Sequence, residues 1–391
     1  YFFGHGSGNY MSLKLGEKDF GETEKMAATG FFSSLAFGFL ICVVGLIFID
    51  PLLTALGSTG TIRPYAREYI FWLLLGAPYM TSALTLNNQL RFQGNAFYAM
   101  IALVSGGVLN IGLDALFVPV LGMGTGGAGL ATAIGQLLSF VLLFVGVQFK
   151  GTVKIKIRNF RFEKKYFALI LRGGLPSLGR QSVSGIANAC TSFVCAAVLG
   201  AAEADAAIAA LGIVAKITGF CSSVIIGFGQ GFQPVCGFNY GAKKYTRVVR
   251  GYVFSLVVCT GFSVLVSAIG IVFARQISSP FSVDPTVVDY AEVAFGAQCV
   301  FFAFTPFITI SNMLLQNIGK VVSATMLAVA RQGLAYVPIV FIFGYAFGLF
   351  GLQTAQAAAD FVTFLLALPL SLPTIVSLYK KGKEGDLCVN E

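Results

Sequence analysis

A short stretch of apolar sequence contains four oxygen-bearing side chains that could bind an ion. Asp114 lies in the apolar segment 97–118, one helical turn after Asn110, so the two share a helix face. Thr132 lies in the next apolar segment, and Gln136 follows it by one turn. Carboxylate, amide and hydroxyl oxygens suit a hard cation such as Na⁺, while Asp114 alone could bind and release a proton. Both readings stay open.

The position of Asp114 decides how strongly it indicates function. A carboxylate inside a membrane-spanning helix costs about 3 kcal/mol on insertion scales and normally faces protein or a water-filled cavity. Near the outer boundary it would simply be solvated by water. We favour the functional reading, with Asp114, Asn110 and Thr132 as possible Na⁺ ligands and Gln136 beside them.

A second polar set lies in the later apolar segments and is a possible substrate site. Gln181, Ser184 and Asn188 recur at helical spacing, which would equally suit hydrogen bonds between helices. Lys216 lies in the middle of an apolar segment and needs a partner, for which Asp360 is the candidate. The full set is Arg180, Gln181, Ser184, Asn188, Lys216, Arg331 and Asp360.

Enzyme chemistry is not indicated. The sequence has no HExxH, GxSxG or paired-carboxylate motif, and its eight cysteines form no CxxC pair or metal-binding spacing. The glycine-rich GHGSGNY at 4–10 lacks the Lys-Ser/Thr ending of a phosphate-binding loop. We therefore expect neither a catalytic site nor a cofactor beyond a coupling ion.

The elements that carry these residues are membrane-spanning helices. Of 391 residues, 56% are hydrophobic and 11% are charged, and the mean hydropathy is +0.81. This composition predicts an all-α polytopic membrane protein, because backbone in hydrocarbon must satisfy its hydrogen bonds within each helix. About ten complete spans are predicted, at 27–49, 65–88, 97–118, 128–148, 168–199, 206–228, 249–273, 288–314, 321–344 and 350–377.

The net charge of +9 reflects topology rather than nucleic-acid binding. When the connections alternate between two sides, one side receives 20 Lys and Arg residues and the other receives three. The positive-inside rule then predicts that both ends of the chain are cytoplasmic. The predicted domains are an N-terminal lobe at 1–149, a basic cytoplasmic linker at 150–167, a C-terminal lobe at 168–378 and a cytoplasmic tail at 379–391.

The sequence repeats itself at an offset of 225 residues. Gly4 matches Gly229, Asn87 matches Asn312, and Gly94 matches Gly319. An even number of spans separates the matched helices, so the sequence predicts two parallel-oriented six-helix repeats. The repeat also predicts that the first helix and most of the second are missing from this chain. The face they would cover, which includes Gly106, Gly107 and Asn110, is then expected to be exposed.

Several segments together resemble one transporter family. GFGQGFQPVCGFNYGAKKYTR at 227–247 is similar to the loop after the eighth helix of multidrug and toxic compound extrusion (MATE) transporters, especially their bacterial MepA-type branch. GHGSGNYMSLKLGEKDFGE at 4–22 resembles the equivalent loop of the first half. Further similar segments are LNIGLDALF at 109–117, GGAGLATAIGQ at 126–136 and RGGLPSLGRQ at 172–181.

The resemblance implies a monomeric antiporter of the bacterial cytoplasmic membrane, whose two lobes enclose a central cavity. Such proteins export small lipophilic or cationic drugs as Na⁺ or H⁺ enters, and Asn110, Asp114 and Thr132 match residues of their N-lobe cation site. A lipid-linked oligosaccharide flippase of the same superfamily is the alternative. A flippase should have a basic cavity, whereas here Arg180, Lys216 and Arg331 are opposed by Asp114.

Overall fold

The chain folds into two compact units. A computed structural model describes residues 2–55, 58, 60, 62–149 and 151–388, and within these ranges the regular secondary structure is entirely helical. The N-terminal unit comprises Tyr1–Gly174 and the C-terminal unit comprises Leu175–Glu391. The boundary lies inside a helix, so residues 151–174, which include most of the predicted linker, belong to the N-terminal unit.

The N-terminal unit consists of six helices and the start of a seventh. They are α1 (Phe2–Gly16), α2 (Phe20–Ile47), α3 (Ile49–Ala55), α4 (Arg63–Phe92), α5 (Ala96–Ala115), α6 (Gly124–Phe149) and α7 (Lys164–Val198). A π-helical turn, Leu116–Val120, follows α5 directly. The ring of Pro119 has no N–H to donate, which accounts for a departure from the α-helical bonding pattern at this point.

The C-terminal unit contains the rest of α7 and seven further helices. These are α8 (Ala201–Gly241), α9 (Tyr245–Val272), α10 (Ala274–Ser278), α11 (Pro285–Phe302), α12 (Thr305–Asn317), α13 (Val321–Val329) and α14 (Tyr336–Cys388). A second π-helical turn, Ala330–Leu334, lies between α13 and α14. Helix α14 is broken at Gly348, whose φ of +57° is a left-handed conformation that glycine adopts without strain.

The helices have the length and apolarity of membrane spans. Within the described residues, eight helical stretches meet this criterion, or nine when α11 and α12, bent by 54°, are taken as one span. The last stretch, Val321–Glu384, has 64 residues, far more than the roughly 20 that cross a bilayer, and the break at Gly348 divides it. The prediction of an all-α polytopic membrane protein is confirmed.

The helix boundaries confirm the 225-residue repeat. Helix α2 (Phe20–Ile47) and helix α9 (Tyr245–Val272) start and end at equivalent positions. The turns that precede them contain Lys18 and Lys243, the two non-glycine residues with positive φ (61° and 58°) in the described chain. Left-handed backbone is uncommon for a side chain such as lysine. Its recurrence at equivalent positions shows that both halves use the same turn.

The segment after α6 is attached to the N-terminal unit by its backbone as well as its side chains. Val153 and Ile155 are buried in the core of this unit together with Met11, Met26 and Leu86. The Val153 N–H donates to Gln93 Oε1 at 2.9 Å, and Gln148 Nε2 donates to the Ile155 carbonyl oxygen at 2.8 Å. The basic segment is therefore an ordered part of the N-terminal unit.

The residues expected to be exposed on α5 differ in their surroundings. Gly107 is exposed, as predicted, and a Cβ atom at this position would meet nothing within 4 Å. Asn110 is half-buried. The expectation is wrong for Gly106, which is buried because its backbone packs directly against Ser139 and Gly135 of α6. Small residues here allow a close approach of the two helices.

Candidate functional site

Two polar groups of side chains lie inside the apolar helices, one in each unit. The first, called here the α5–α6 site, consists of Asn110, Asp114, Thr132 and Gln136. The close spacing of α5 and α6 at this site requires glycine at position 135. A Cβ on Gly135 would lie 2.9 Å from the Asn110 Cβ and 2.6 Å from the Gly106 carbonyl oxygen. Glycine at 135 thus holds the Asn110 turn of α5 against α6.

The structure brings Asn110 and Thr132 together. Asn110 Nδ2 donates to Thr132 Oγ1 at 3.4 Å, and Thr132 Oγ1 donates to the Ala128 carbonyl oxygen at 2.9 Å. Because the amide nitrogen is engaged with Thr132, the Asn110 amide oxygen is available as an acceptor. Gln136 is half-buried one turn further along α6.

Asp114 lies one turn beyond Asn110 on α5, two residues before the start of the π-helical turn. Its Oδ1 atom is buried, and it has no hydrogen-bond partner in the described part of the protein. An unsatisfied buried carboxylate oxygen costs free energy unless a ligand or a proton compensates it. The donor set of carboxylate, amide and hydroxyl oxygens fits a hard monovalent cation, and Oδ1 could equally hold a proton.

The second group lines a cavity of about 680 Å³ inside the C-terminal unit, called here the C-unit cavity. Six of the seven predicted residues line it: Arg180, Gln181, Ser184, Asn188, Lys216 and Arg331. Apolar side chains such as Ile208, Leu211 and Leu352 form much of the remaining wall. A cavity of this size with mixed lining has the usual character of a small-molecule site.

Asp360 is fully buried next to this cavity and has three side-chain partners. Arg331 Nε donates to Oδ1 at 2.8 Å and Arg331 NH2 to Oδ2 at 3.2 Å. Gln298 Nε2 and Gln356 Nε2 donate to the carboxylate at 2.6 and 3.1 Å. The predicted Lys216–Asp360 pair is therefore wrong. Arg331 takes this place because its planar group offers two donors to one carboxylate.

Further contacts hold the cavity wall. Ser184 Oγ donates to Gln332 Oε1 at 2.5 Å, which fixes α7 against the π-helical turn that carries Arg331. The hydroxyls of Thr191 and Tyr336 are hydrogen-bonded at 2.8 Å. Sequence reasoning missed Gln298 and Tyr336 as contributors. An amide inside the otherwise apolar stretch 293–304 was the available signal for Gln298.

The described residues contain no group of three or more His, Cys, Asp or Glu side chains that could hold a metal ion. A transition-metal centre is thus not indicated in this part of the chain. The ion-binding candidates remain the uncharged oxygens of the α5–α6 site together with its single carboxylate.

Part of each polar site lies in stretches of the chain that match a known protein family. The family model described as MatE matches residues 1–116 and 181–342. The match includes Asn110 and Asp114, and it includes most of the residues that line the C-unit cavity. Thr132, Gln136 and Asp360 lie outside it.

Individual relatives extend the similarity over nearly the whole chain. Multidrug export protein MepA of Staphylococcus haemolyticus is 26% identical over 370 residues, covering 94% of this chain and 80% of that protein. MepA of Staphylococcus aureus strain NCTC 8325 is 25% identical over 371 residues, with the same coverage. The names of these relatives favour the drug-export reading over the flippase.

Solved structures agree with this assignment. The crystal structure of a MATE protein in complex with MaL6 has a TM-score of 0.90 at 26% identity, covering 97% of this chain and 85% of that chain. The outward-facing conformation of a multidrug resistance MATE family transporter has a TM-score of 0.90 at 25% identity, covering 96% and 84%. The fold is shared along almost the entire chain.

Proposed function

Because this chain belongs to the MatE family, we propose that it is an antiporter that exports small lipophilic or cationic compounds while Na⁺ or H⁺ moves inward. The family and the relatives named as multidrug exporters support the efflux of small organic molecules. We further propose that the protein acts as a monomer in the bacterial cytoplasmic membrane, with both ends of this chain in the cytoplasm.

The observation that carries the coupling proposal is the unpaired Oδ1 atom of Asp114. It is buried and without a partner in the described residues, next to the turn that holds the Asn110–Thr132 hydrogen bond. Binding of Na⁺ or a proton would neutralise the carboxylate. The free energy of burying this charge would then depend on whether the ion is bound.

Neutralisation at Asp114 offers a route from ion binding to a change in helix packing. The π-helical turn Leu116–Val120 begins two residues after Asp114, and the regular bonding of α5 ends there. A local charge change can shift the equilibrium of a neighbouring element that has two arrangements. Ion and drug would be coupled if each favours a different arrangement, typically by about 1–3 kcal/mol.

Transport by the full chain reconstituted in liposomes tests this proposal. Ethidium movement would be followed by fluorescence while a Na⁺ gradient, a pH gradient or neither is imposed. We expect accumulation against the ethidium gradient with one of the two ion gradients and none without them. Ethidium movement that is the same under all three conditions would contradict antiport.

A further inference from the structure

The charged groups that line the C-unit cavity all have the same sign. Arg180, Lys216 and Arg331 are the charged residues in its wall. The carboxylate of Asp360 does not line the cavity: it is fully buried and pairs with Arg331, a residue of the wall. The cavity wall is therefore cationic, unlike the mixed site that the sequence suggested when Asp114 was counted with it.

The carboxylate of Asp360 is fully hydrogen-bonded to protein side chains. Its two oxygens accept four hydrogen bonds, two from Arg331 and one each from Gln298 and Gln356. This carboxylate compensates Arg331 and holds it in place.

Lys216 is the cation that is best placed to meet a ligand. It lies on α8, its side chain is exposed to the cavity, and it makes no hydrogen bond or ion pair with any described residue. An ammonium group within a membrane span is costly unless water or a counter-charge is present. A ligand that brings a negative charge would supply this counter-charge in a site of low dielectric.

The rest of the cavity wall defines what else the ligand must contain. Ile208, Leu211 and Leu352 provide apolar surface, and Gln181 and Asn188 provide amide groups. A purely inorganic anion would leave the apolar surface uncovered, while an organic cation without a carboxylate would leave Lys216 without a counter-charge. The ligand that satisfies both features is a lipophilic organic molecule with a carboxylate.

We infer that the C-unit cavity binds lipophilic organic acids and zwitterions, with Lys216 as the residue that pairs with their carboxylate. This inference rests on the proposed export function and specifies the substrate class of one site within it. Compounds that carry both a cationic ring system and a carboxylate are included, so the inference narrows the expected range of drugs rather than replacing it.

A matched pair of dyes tests the inference directly. Rhodamine 19 has a free carboxylate, and rhodamine 6G is its ethyl ester with the same xanthene ring system. Binding of each dye to the full chain in detergent would be measured by fluorescence anisotropy without any ion gradient. We expect the free acid to bind more tightly than the ester, because only the acid presents a negative charge to Lys216.

The Lys216→Gln variant should weaken binding of rhodamine 19 by about tenfold, since it removes one charge-assisted contact. Binding of the ester should be unchanged or tighter. Lys244→Gln is the matched control: it removes the same charge from the same unit at an exposed position outside the cavity wall. This control should leave both affinities unchanged.

Three results would overturn the inference: tighter binding of the ester, no binding of the free acid, or an unchanged ratio of affinities in Lys216→Gln. The outcome is separate from that of the transport proposal. Preferential binding of the acid without gradient-driven efflux would contradict only the antiport. Gradient-driven efflux of ethidium with no preference for the acid would contradict only this inference.

Discussion

The side chains of Asn87 and Asn312 make equivalent hydrogen bonds in the two halves of the chain. Asn87 Nδ2 donates to the carbonyl oxygen of Ala99 at 3.1 Å. Asn312 Nδ2 donates to the carbonyl oxygen of Ala324 at 2.5 Å. In each case the acceptor lies 12 residues later, on the next helix. The same side chain thus joins consecutive helices in both units.

Replacement of either asparagine should lower stability by a similar amount. Asn87→Ala and Asn312→Ala each remove one buried side-chain hydrogen bond between consecutive helices, at a cost of about 0.5–1.5 kcal/mol. Thermal unfolding in detergent would measure this as a loss of several degrees. Asn239→Ala is the control, because its amide bonds to the Val235 carbonyl oxygen at an exposed position. Clearly different losses in Asn87→Ala and Asn312→Ala would contradict the equivalence of the two bonds.

Much of the fold could be predicted from the sequence because a bilayer imposes long apolar helices with charged connections. The repeat also placed Lys18 and Lys243 at equivalent loop positions. The bend between α11 and α12 has a signal in the sequence that the predicted single span 288–314 overlooked: Pro306 lies in the first turn of α12, and its ring has no N–H to continue the hydrogen bonds of α11. In the equivalent part of the N-terminal unit, α4 continues as one helix past Pro78.

Site residues were found by type, but their pairing was not. An ionisable residue in an apolar segment is conspicuous in a sequence, which is why Asp114, Lys216 and Asp360 stood out. The partner of Asp360 depends on packing between distant segments: Arg331 lies 29 residues away and Gln298 lies 62 residues away. Spacing along the chain gives no information on such contacts, and Lys216 was chosen wrongly for this reason.

The close approach of α5 and α6 should make Gly135 intolerant of a side chain. In Gly135→Ala, the new Cβ would lie 2.9 Å from the Asn110 Cβ, so one helix must shift. We expect a loss of about 1–3 kcal/mol in unfolding free energy, together with reduced gradient-driven efflux. Gly107→Ala should be neutral, because its Cβ would meet nothing within 4 Å. Wild-type stability and transport in Gly135→Ala would contradict the packing argument.

The attachment of the basic segment to the N-terminal unit should depend on Glu22. This carboxylate accepts from Lys165 Nζ at 2.8 Å and from the Tyr166 hydroxyl at 3.1 Å. Glu22→Gln removes an ion pair at the junction of α2 and α7. We expect faster trypsin cleavage after Lys154, Lys156 and Arg158, because the segment detaches more often.

The control for this cleavage assay is Glu17→Gln. Glu17 pairs with Lys14 three residues away at 2.6 Å, so this ion pair joins only neighbouring residues and includes no residue of α7. Such pairs contribute about 0–1 kcal/mol and do not hold the basic segment. Equal cleavage rates in wild type and Glu22→Gln would show that the hydrophobic contacts of Val153 and Ile155 are sufficient.

The predicted orientation can be tested by cysteine labelling of intact cells. In a background without the eight native cysteines, Glu203→Cys should react with a membrane-impermeant maleimide, whereas Lys156→Cys should react only after lysis. Both positions are exposed in the structure, so burial would not mask the result. Labelling of position 156 but not position 203 in intact cells would reverse the assignment.

We expect Asp114 to be required for ion coupling and Asp360 to be required for stability of the folded protein. Asp114→Asn keeps the size of the side chain and removes its charge, and it breaks no described hydrogen bond of Oδ1. The variant should fold with nearly wild-type stability and bind drugs. It should lose gradient-driven efflux, and the dependence of drug binding on Na⁺ or pH should disappear with it.

Asp360→Asn provides the contrast. In the native protein, Arg331 Nε lies 2.8 Å from Asp360 Oδ1. The substitution leaves the Arg331 guanidinium without this counter-charge. Breaking a buried ion pair costs about 3–5 kcal/mol, so this variant should unfold at a lower temperature and accumulate poorly. If Asp114→Asn retained wild-type gradient-driven efflux, coupling would have to be sought at Asp360 instead. In that case Asp360→Asn should fold and still lose the gradient response.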